Sequence, residues 1–192
     1  MNLEVRKVAS GFAGEVIGAD LSREEDFAPV HQAFLDYGVV AVRGGPLAPA
    51  AQIAFAKRFG PLMGRRPSTP DKVLMPGYPE IILLSNRREK GQKIGISDAG
   101  RYWHSDLCFE EKPNLSTVVH AVEIPPVGGD TLFADLEMAY TALPEALKLR
   151  IEGKRAAHTF KKHYLEVKAG GSDRPPLTPE QIENLTETYH PI

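Results

Sequence analysis

The sequence predicts a single mixed α+β domain spanning residues 1–192, a β core with helices packed around it, and three observations carry that prediction. Glycine and proline number 17 and 16, which favours a turn-dense β architecture over a helical bundle. Short apolar runs of strand length alternate along the chain with segments of helical period. Apolar residues make up 42% of the chain and the formal net charge is −2, a balance that supports a packed core and argues against disorder.

Each element follows from local signals. "EVRKVASGFAGEVIGADLS" reads as two short strands joined by a glycine-bearing turn. Its glycines, Gly11, Gly14 and Gly18, do not fit the spacing of a dinucleotide cradle. Residues 22–37 have helical period in Phe27, Val30, His31, Phe34 and Leu35, with Gly38 as the stop. "VVAVRG" is expected to be a strand buried on both faces, and a second helix is expected around 48–58, ended by Gly60 and Pro61. From 61 to 79 five prolines predict a loop, after which "EIILLS" reads as a buried strand. The polar stretch 86–100 is long enough to be a functional loop.

Beyond it, "STVVHAVEI" and "TLFAD" are expected strands either side of a "PPVGGD" turn. Asp135 is placed to cap a helix through Tyr140, and Pro144 to open the next, which ends at Gly153. "RAAHTF" is an expected strand. In "TPEQIENL", Thr178, Pro179 and Gln181 form a capping-box signature.

Composition also narrows the function. Lysines and arginines are scattered and no sign of charge dominates, so neither nucleic acid nor an acidic membrane is an expected partner. No apolar run approaches membrane-spanning length, and "MNLEVRKVAS" lacks the apolar stretch of a signal peptide. The single Cys108 excludes an intramolecular disulfide framework, which together with the foregoing makes the cytoplasm the expected setting. Hydrolase signatures are absent: there is no G-x-S-x-G, no H-E-x-x-H and no Walker loop.

The chemistry concentrates in "RYWHSDLCFEEKP", residues 101–113. In an extended strand, residues two apart share a face, so His104 and Asp106 can offer an imidazole nitrogen and a carboxylate oxygen to one point. That is two-thirds of a 2-His-1-carboxylate site for non-haem Fe(II), which leaves one face of the metal open. A hydrogen-bonded polar couple on a strand would read the same, and the residues alone favour that plainer reading.

The ordered series "GEVIGADLS", "GVVAVRG", "QIAFAKRFGPL", "YWHSDLCF", "GGDTLFADLEMAYTALP" and the terminal "HPI" resembles the taurine dioxygenase / 2,4-dichlorophenoxyacetate dioxygenase (TauD/TfdA) family of Fe(II)- and 2-oxoglutarate-dependent dioxygenases. Thr131 follows His104 by 27 positions, as the family pattern has it. The resemblance implies a double-stranded β-helix (jelly-roll) core with flanking helices. It implies Fe(II) as cofactor, 2-oxoglutarate and O2 as cosubstrates, and hydroxylation of a small organic substrate.

By the same resemblance His104 and Asp106 are the first two metal ligands and Thr131 helps to bind 2-oxoglutarate. Gly128 and Gly129 let the chain turn beside the site. Tyr164 falls where the family has a wall of the substrate pocket, with a strand-end tyrosine as the alternative. Arg65, followed by Arg66, stands where taurine-acting members carry a His; the pair could clamp an anionic sulfonate, phosphonate or carboxylate, or belong to a solvated loop.

The family's second ligating His and its 2-oxoglutarate-pairing Arg fall after Ile192, so a truncated form with an incomplete β-helix is expected. His120 and His158 have a plainer reading as core residues and His163 as a solvated one; His31 sits on a helix far back in the sequence, and His190 belongs to the terminal "HPI", which in the family is not the ligand. The competing expectation is a non-catalytic binding module that keeps the β core without iron. A homo-oligomer is compatible with either.

Overall fold

A computed structural model describes residues 3–8, 11–64, 69, 71–97, 99–100, 102–169, 176–183, 185 and 187–192, apart from the side chains of residues 163, 166 and 167. The protein is mixed α/β and divides into two compact units, Met1–Leu62 with Val118–Leu143, and Met63–Thr117 with Pro144–Ile192. Among the described residues no helix is long and apolar enough to cross a membrane.

In the first unit, β1 (Glu4–Lys7) and β2 (Ala13–Ile17) form the expected antiparallel pair, in register from Glu4↔Ile17 to Lys7↔Gly14. Helix α1 (Phe27–Tyr37) then carries the chain across to β3 (Val39–Arg43), which pairs parallel to β2, as a crossover helix allows. Of the helical-period positions read for α1, Val30 is buried, Phe27, His31 and Phe34 are half-buried and Leu35 is exposed; the core is Val30 and Ala33 of α1 with Val16, Ala19 and Phe55. Phe55 comes from α2 (Pro49–Lys57), and Phe59 just beyond it meets the rings of Phe27, Phe34 and Phe55 edge-on at 5.1–5.7 Å.

Helix α1 begins five residues later than expected for a physical reason. Asp26 spends its carboxylate on the Asp20 N–H (2.8 Å), and Asp20 accepts the Ser22 N–H (2.9 Å), so residues 20–26 form local side-chain turns that compete with helix. Strand β3 is half-buried and partly exposed, not buried on both faces, because it is the edge of a three-stranded sheet. Helix α3 (Leu136–Thr141) is capped as foreseen, the Met138 N–H donating to Asp135 Oδ1 at 2.9 Å.

Among its described residues the second unit holds three two-stranded pairs. The expected loop 61–79 contains a 3-10 turn (Asp71–Val73) and β4 (Leu74–Met75), paired with β5 (Tyr78–Ile82). With one partner and open faces, β5 is not the buried strand expected; Ile82 is 40% exposed. The polar stretch 86–100 is a hairpin, β6 (Arg88–Glu89) and β7 (Gln92–Lys93). Gly95 returns it to the unit: its N–H donates to Lys72 O (3.1 Å), its φ is +73°, and a Cβ there would stand 2.6 Å from Leu83 O.

Helix α4 (Glu145–Ile151) leads to β8 (Arg155–Thr159) and directly into α5 (Phe160–Ala169). Helix α6 (Pro179–Glu183) carries the foreseen capping box, Gln181 N–H to Thr178 Oγ1 and Thr178 N–H to Gln181 Oε1. The chain ends in β9 (Glu187–Pro191), antiparallel to β8 in register from Arg155↔Pro191 to Thr159↔Glu187.

The expected strands 116–124 and 131–135 have irregular backbone. Among the described residues neither has a ladder partner, and an extended segment becomes a strand only by sharing its backbone hydrogen bonds.

Candidate metal centre

His104 and Asp106 lie in the second unit, in irregular backbone running into a turn at 106–109 rather than in the regular strand expected. The convergence survives without the strand. His104 Nε2 stands 3.4 Å from Asp106 Oδ1, with both side chains about half exposed.

Hydrogen bonds set the chemistry of each group. His104 Nδ1 is 2.7 Å from Tyr102 O. A carbonyl only accepts, so Nδ1 carries a proton and Nε2 is the ring nitrogen turned toward Asp106. An imidazole nitrogen and a carboxylate oxygen therefore face one another at 3.4 Å, and nitrogen with carboxylate oxygen is a donor set that suits Fe(II). The other carboxylate oxygen, Oδ2, accepts the Thr117 hydroxyl at 2.7 Å.

The segment behind the pair is tied down. Glu110 N–H donates to Leu107 O (2.9 Å) to close the turn, and Leu107 takes a left-handed φ of 54°. Thr188 of β9 donates its hydroxyl to Phe109 O (2.8 Å), and His190 Nε2 donates to Glu110 O (3.0 Å). The Phe109 ring meets Phe160, at the start of α5, with centroids 5.0 Å apart. The terminal "HPI" is thus an anchor for the residues that follow Asp106.

The other sequence-predicted residues fare differently. Gly128 and Gly129 take positive φ of 77° and 76°, just after a bend at residues 126–127. Thr131 is exposed, on irregular backbone in the first unit. Tyr164 sits within α5 rather than at a strand end, half-buried, its hydroxyl accepting the Leu177 N–H at 2.9 Å. Arg65 and Arg66 lie outside the described residues. Cys108 is half-buried. His31 stacks on Phe27 at 5.3 Å, and the rings of His158 and His190 lie 5.4 Å apart. Among the described residues no third His, Cys, Asp or Glu joins the pair.

Thr117, Thr188 and His190 were not foreseen as parts of this site. Thr117 meets Asp106 from 11 residues away, a contact no local pattern announces. Thr188 and His190 act through pairing 79 and 80 residues away, which no local pattern announces.

Comparison with known proteins adds to this geometry. A sequence model of the family described as "Taurine catabolism dioxygenase TauD, TfdA family" matches residues 4–192. The chain is 38% identical over 128 residues to an alpha-ketoglutarate-dependent 2,4-dichlorophenoxyacetate dioxygenase of Cupriavidus pinatubonensis, covering 62% of this chain and 44% of that protein. It is 34% identical over 173 residues to pentalenolactone F synthase of Streptomyces avermitilis, covering 86% of this chain and 56% of that protein. The fold is similar to the crystal structure of a taurine dioxygenase from Burkholderia xenovorans, with a TM-score of 0.67, 26% identity, and coverage of 98% of this chain and 57% of that one. The chain spans about half the length of the curated relatives it matches.

Proposed function

The chain belongs to the TauD, TfdA family, and from that membership we propose that it carries the metal-binding segment of an Fe(II)- and 2-oxoglutarate-dependent dioxygenase. The observation that carries the proposal is the convergence of His104 Nε2 and Asp106 Oδ1, 3.4 Å apart, with the imidazole proton held on the far nitrogen by Tyr102 O. The chemistry supplied when Fe(II) is bound is oxidation of 2-oxoglutarate by O2 to succinate and CO2, coupled to hydroxylation of the substrate.

The chain's own residues have narrower tasks. His104 gives Nε2 and Asp106 gives Oδ1 to the metal, and Tyr102 O keeps the proton on Nδ1. Thr131, by the family pattern, is the residue whose hydroxyl would help to bind a 2-oxoglutarate carboxylate. The family match over both units supports reading them as parts of one domain with a double-stranded β-helix core.

The substrate is a small organic anion. Relatives are named for a phenoxyacetate and for taurine, a carboxylate and a sulfonate, and Arg65 is the residue of this chain suited to pair with either group. Tyr164 is the candidate aromatic wall beside it. A cytoplasmic setting, with Cys108 reduced, fits this chemistry.

A second reading, a binding module without iron, draws on one observation: no third ligand joins the pair among the described residues. One experiment separates the two. Fe(II) is added anaerobically to the 192-residue chain, followed by 2-oxoglutarate, and a weak visible absorption is sought. The dioxygenase reading expects the absorption in the parent and its loss in both His104→Ala and Asp106→Ala. No absorption in the parent, or its persistence in those variants, would leave the binding-module reading in its place.

A further inference from the structure

Asp106 has two oxygens, and they face different partners. Oδ1 lies on the His104 Nε2 side at 3.4 Å, while Oδ2 accepts the Thr117 hydroxyl at 2.7 Å. We infer that Thr117 is a positioning residue: by occupying Oδ2 it holds the Asp106 carboxylate with Oδ1 turned toward the imidazole, so that one oxygen only is offered to the metal. The inference rests on reading His104 and Asp106 as metal ligands.

The physical need is plain. The terminal torsion of an aspartate is broad and nearly two-fold, so a half-exposed carboxylate would otherwise turn freely and exchange its oxygens. A hydroxyl donor removes that freedom, and a β-branched donor removes more, because Thr is itself stiff at χ1. The backbone around Thr117 presents it well: Ser116, Val118 and His120 are half-buried, while Thr117 and Val119 alternate outward. Thr117 is thus the polar side chain on the exposed side of an extended run.

Both ligands are then fixed from behind, one by a carbonyl and one by a hydroxyl. Tyr102 O sets the imidazole tautomer, and Thr117 Oγ1 sets the carboxylate. Partners of this kind orient a ligand and raise metal affinity without touching the metal. Of the two, only Thr117 acts through its side chain, so it alone can be removed by substitution.

The test is a Mn(II) titration of the 192-residue chain, read by electron paramagnetic resonance of the free ion. It compares the parent with Thr117→Val, Thr117→Ser, His104→Ala and Asp106→Ala. Thr117→Val keeps the branched shape and loses the donor; Thr117→Ser keeps the donor. Mn(II) binding about 10-fold or more weaker in Thr117→Val is expected, with recovery in Thr117→Ser. The metal-free thermal unfolding midpoint is expected to stay at the parent's value in both.

Parent-like Mn(II) affinity in Thr117→Val, while both alanine variants lose the ion, would overturn the positioning role and leave the ligand reading intact. Failure of Thr117→Ser to restore binding would overturn it too, by showing that shape rather than the hydroxyl matters. If the parent does not bind, or the alanine variants bind as it does, the ligand reading itself falls and takes the inference with it.

Discussion

At the scale of single residues, the turn after His104 and Asp106 depends on one strained backbone position. Leu107 holds φ at 54°, a region that costs an L-residue about 1–2 kcal/mol and costs a β-branched residue more. The strain directs the chain from Asp106 into the turn closed by Glu110 N–H to Leu107 O. Leu107→Val is therefore expected to destabilise the protein by about 1–2 kcal/mol, measured by urea unfolding. Unfolding unchanged from the parent would mean that the turn tolerates branching and stores no strain. His104 and Asp106 were legible as neighbours because they are two apart, and they stand 3.4 Å from each other although no regular strand forms. Leu107 was not legible as a turn residue, since leucine carries no preference for positive φ. Nor was Thr117 legible as a partner of Asp106, because a contact 11 residues away depends on how the intervening chain returns.

At the scale of elements, the central strand of the three-stranded sheet carries a buried charge. Glu15 of β2 is 8% exposed and receives Arg43 Nε on Oε1 (2.5 Å) and Arg6 Nε on Oε2 (2.6 Å), one arginine from each neighbouring strand. The Arg43 hydrogen bond first, and the Arg6 hydrogen bond next, hold the Glu15 carboxyl below its ordinary value. A depressed carboxyl contributes stability above its unfolded value, near 4.5, and loses that contribution as pH falls through the lower folded value. Stability measured by urea unfolding is expected to fall less steeply below about pH 4.5 in Glu15→Gln than in the parent. Equal slopes would show that the two arginines do not stabilise the folded charge. Elements set by local chemistry were legible in advance, as with the Asp135 cap and the Thr178–Gln181 box. Strand β9 was missed because its pairing with β8 is long-range, and α5 because no cap or breaker separates it from β8.

At the scale of the whole molecule, the family resemblance was legible along the entire chain, while the strands of its β-helix were legible only as pattern. Segments 116–124 and 131–135 have the residues of strands, yet among the described residues they find no ladder partner. Most of their apolar side chains consequently stay in water: Val119, Val122, Ile124, Leu132 and Phe133 are each more than half exposed. Apolar surface of this kind binds amphiphilic dyes. The chain is expected to raise the fluorescence of anilinonaphthalene sulfonate while its helices and strands remain folded by circular dichroism. Val122→Lys combined with Ile124→Lys is expected to lower that signal and to leave the unfolding midpoint where it is, since Val122 and Ile124 are 81% and 74% exposed and contribute little to a core. A dye signal at background in the parent would mean that these segments are covered in solution. A drop in the midpoint of the double variant would mean that Val122 and Ile124 pack against a partner surface.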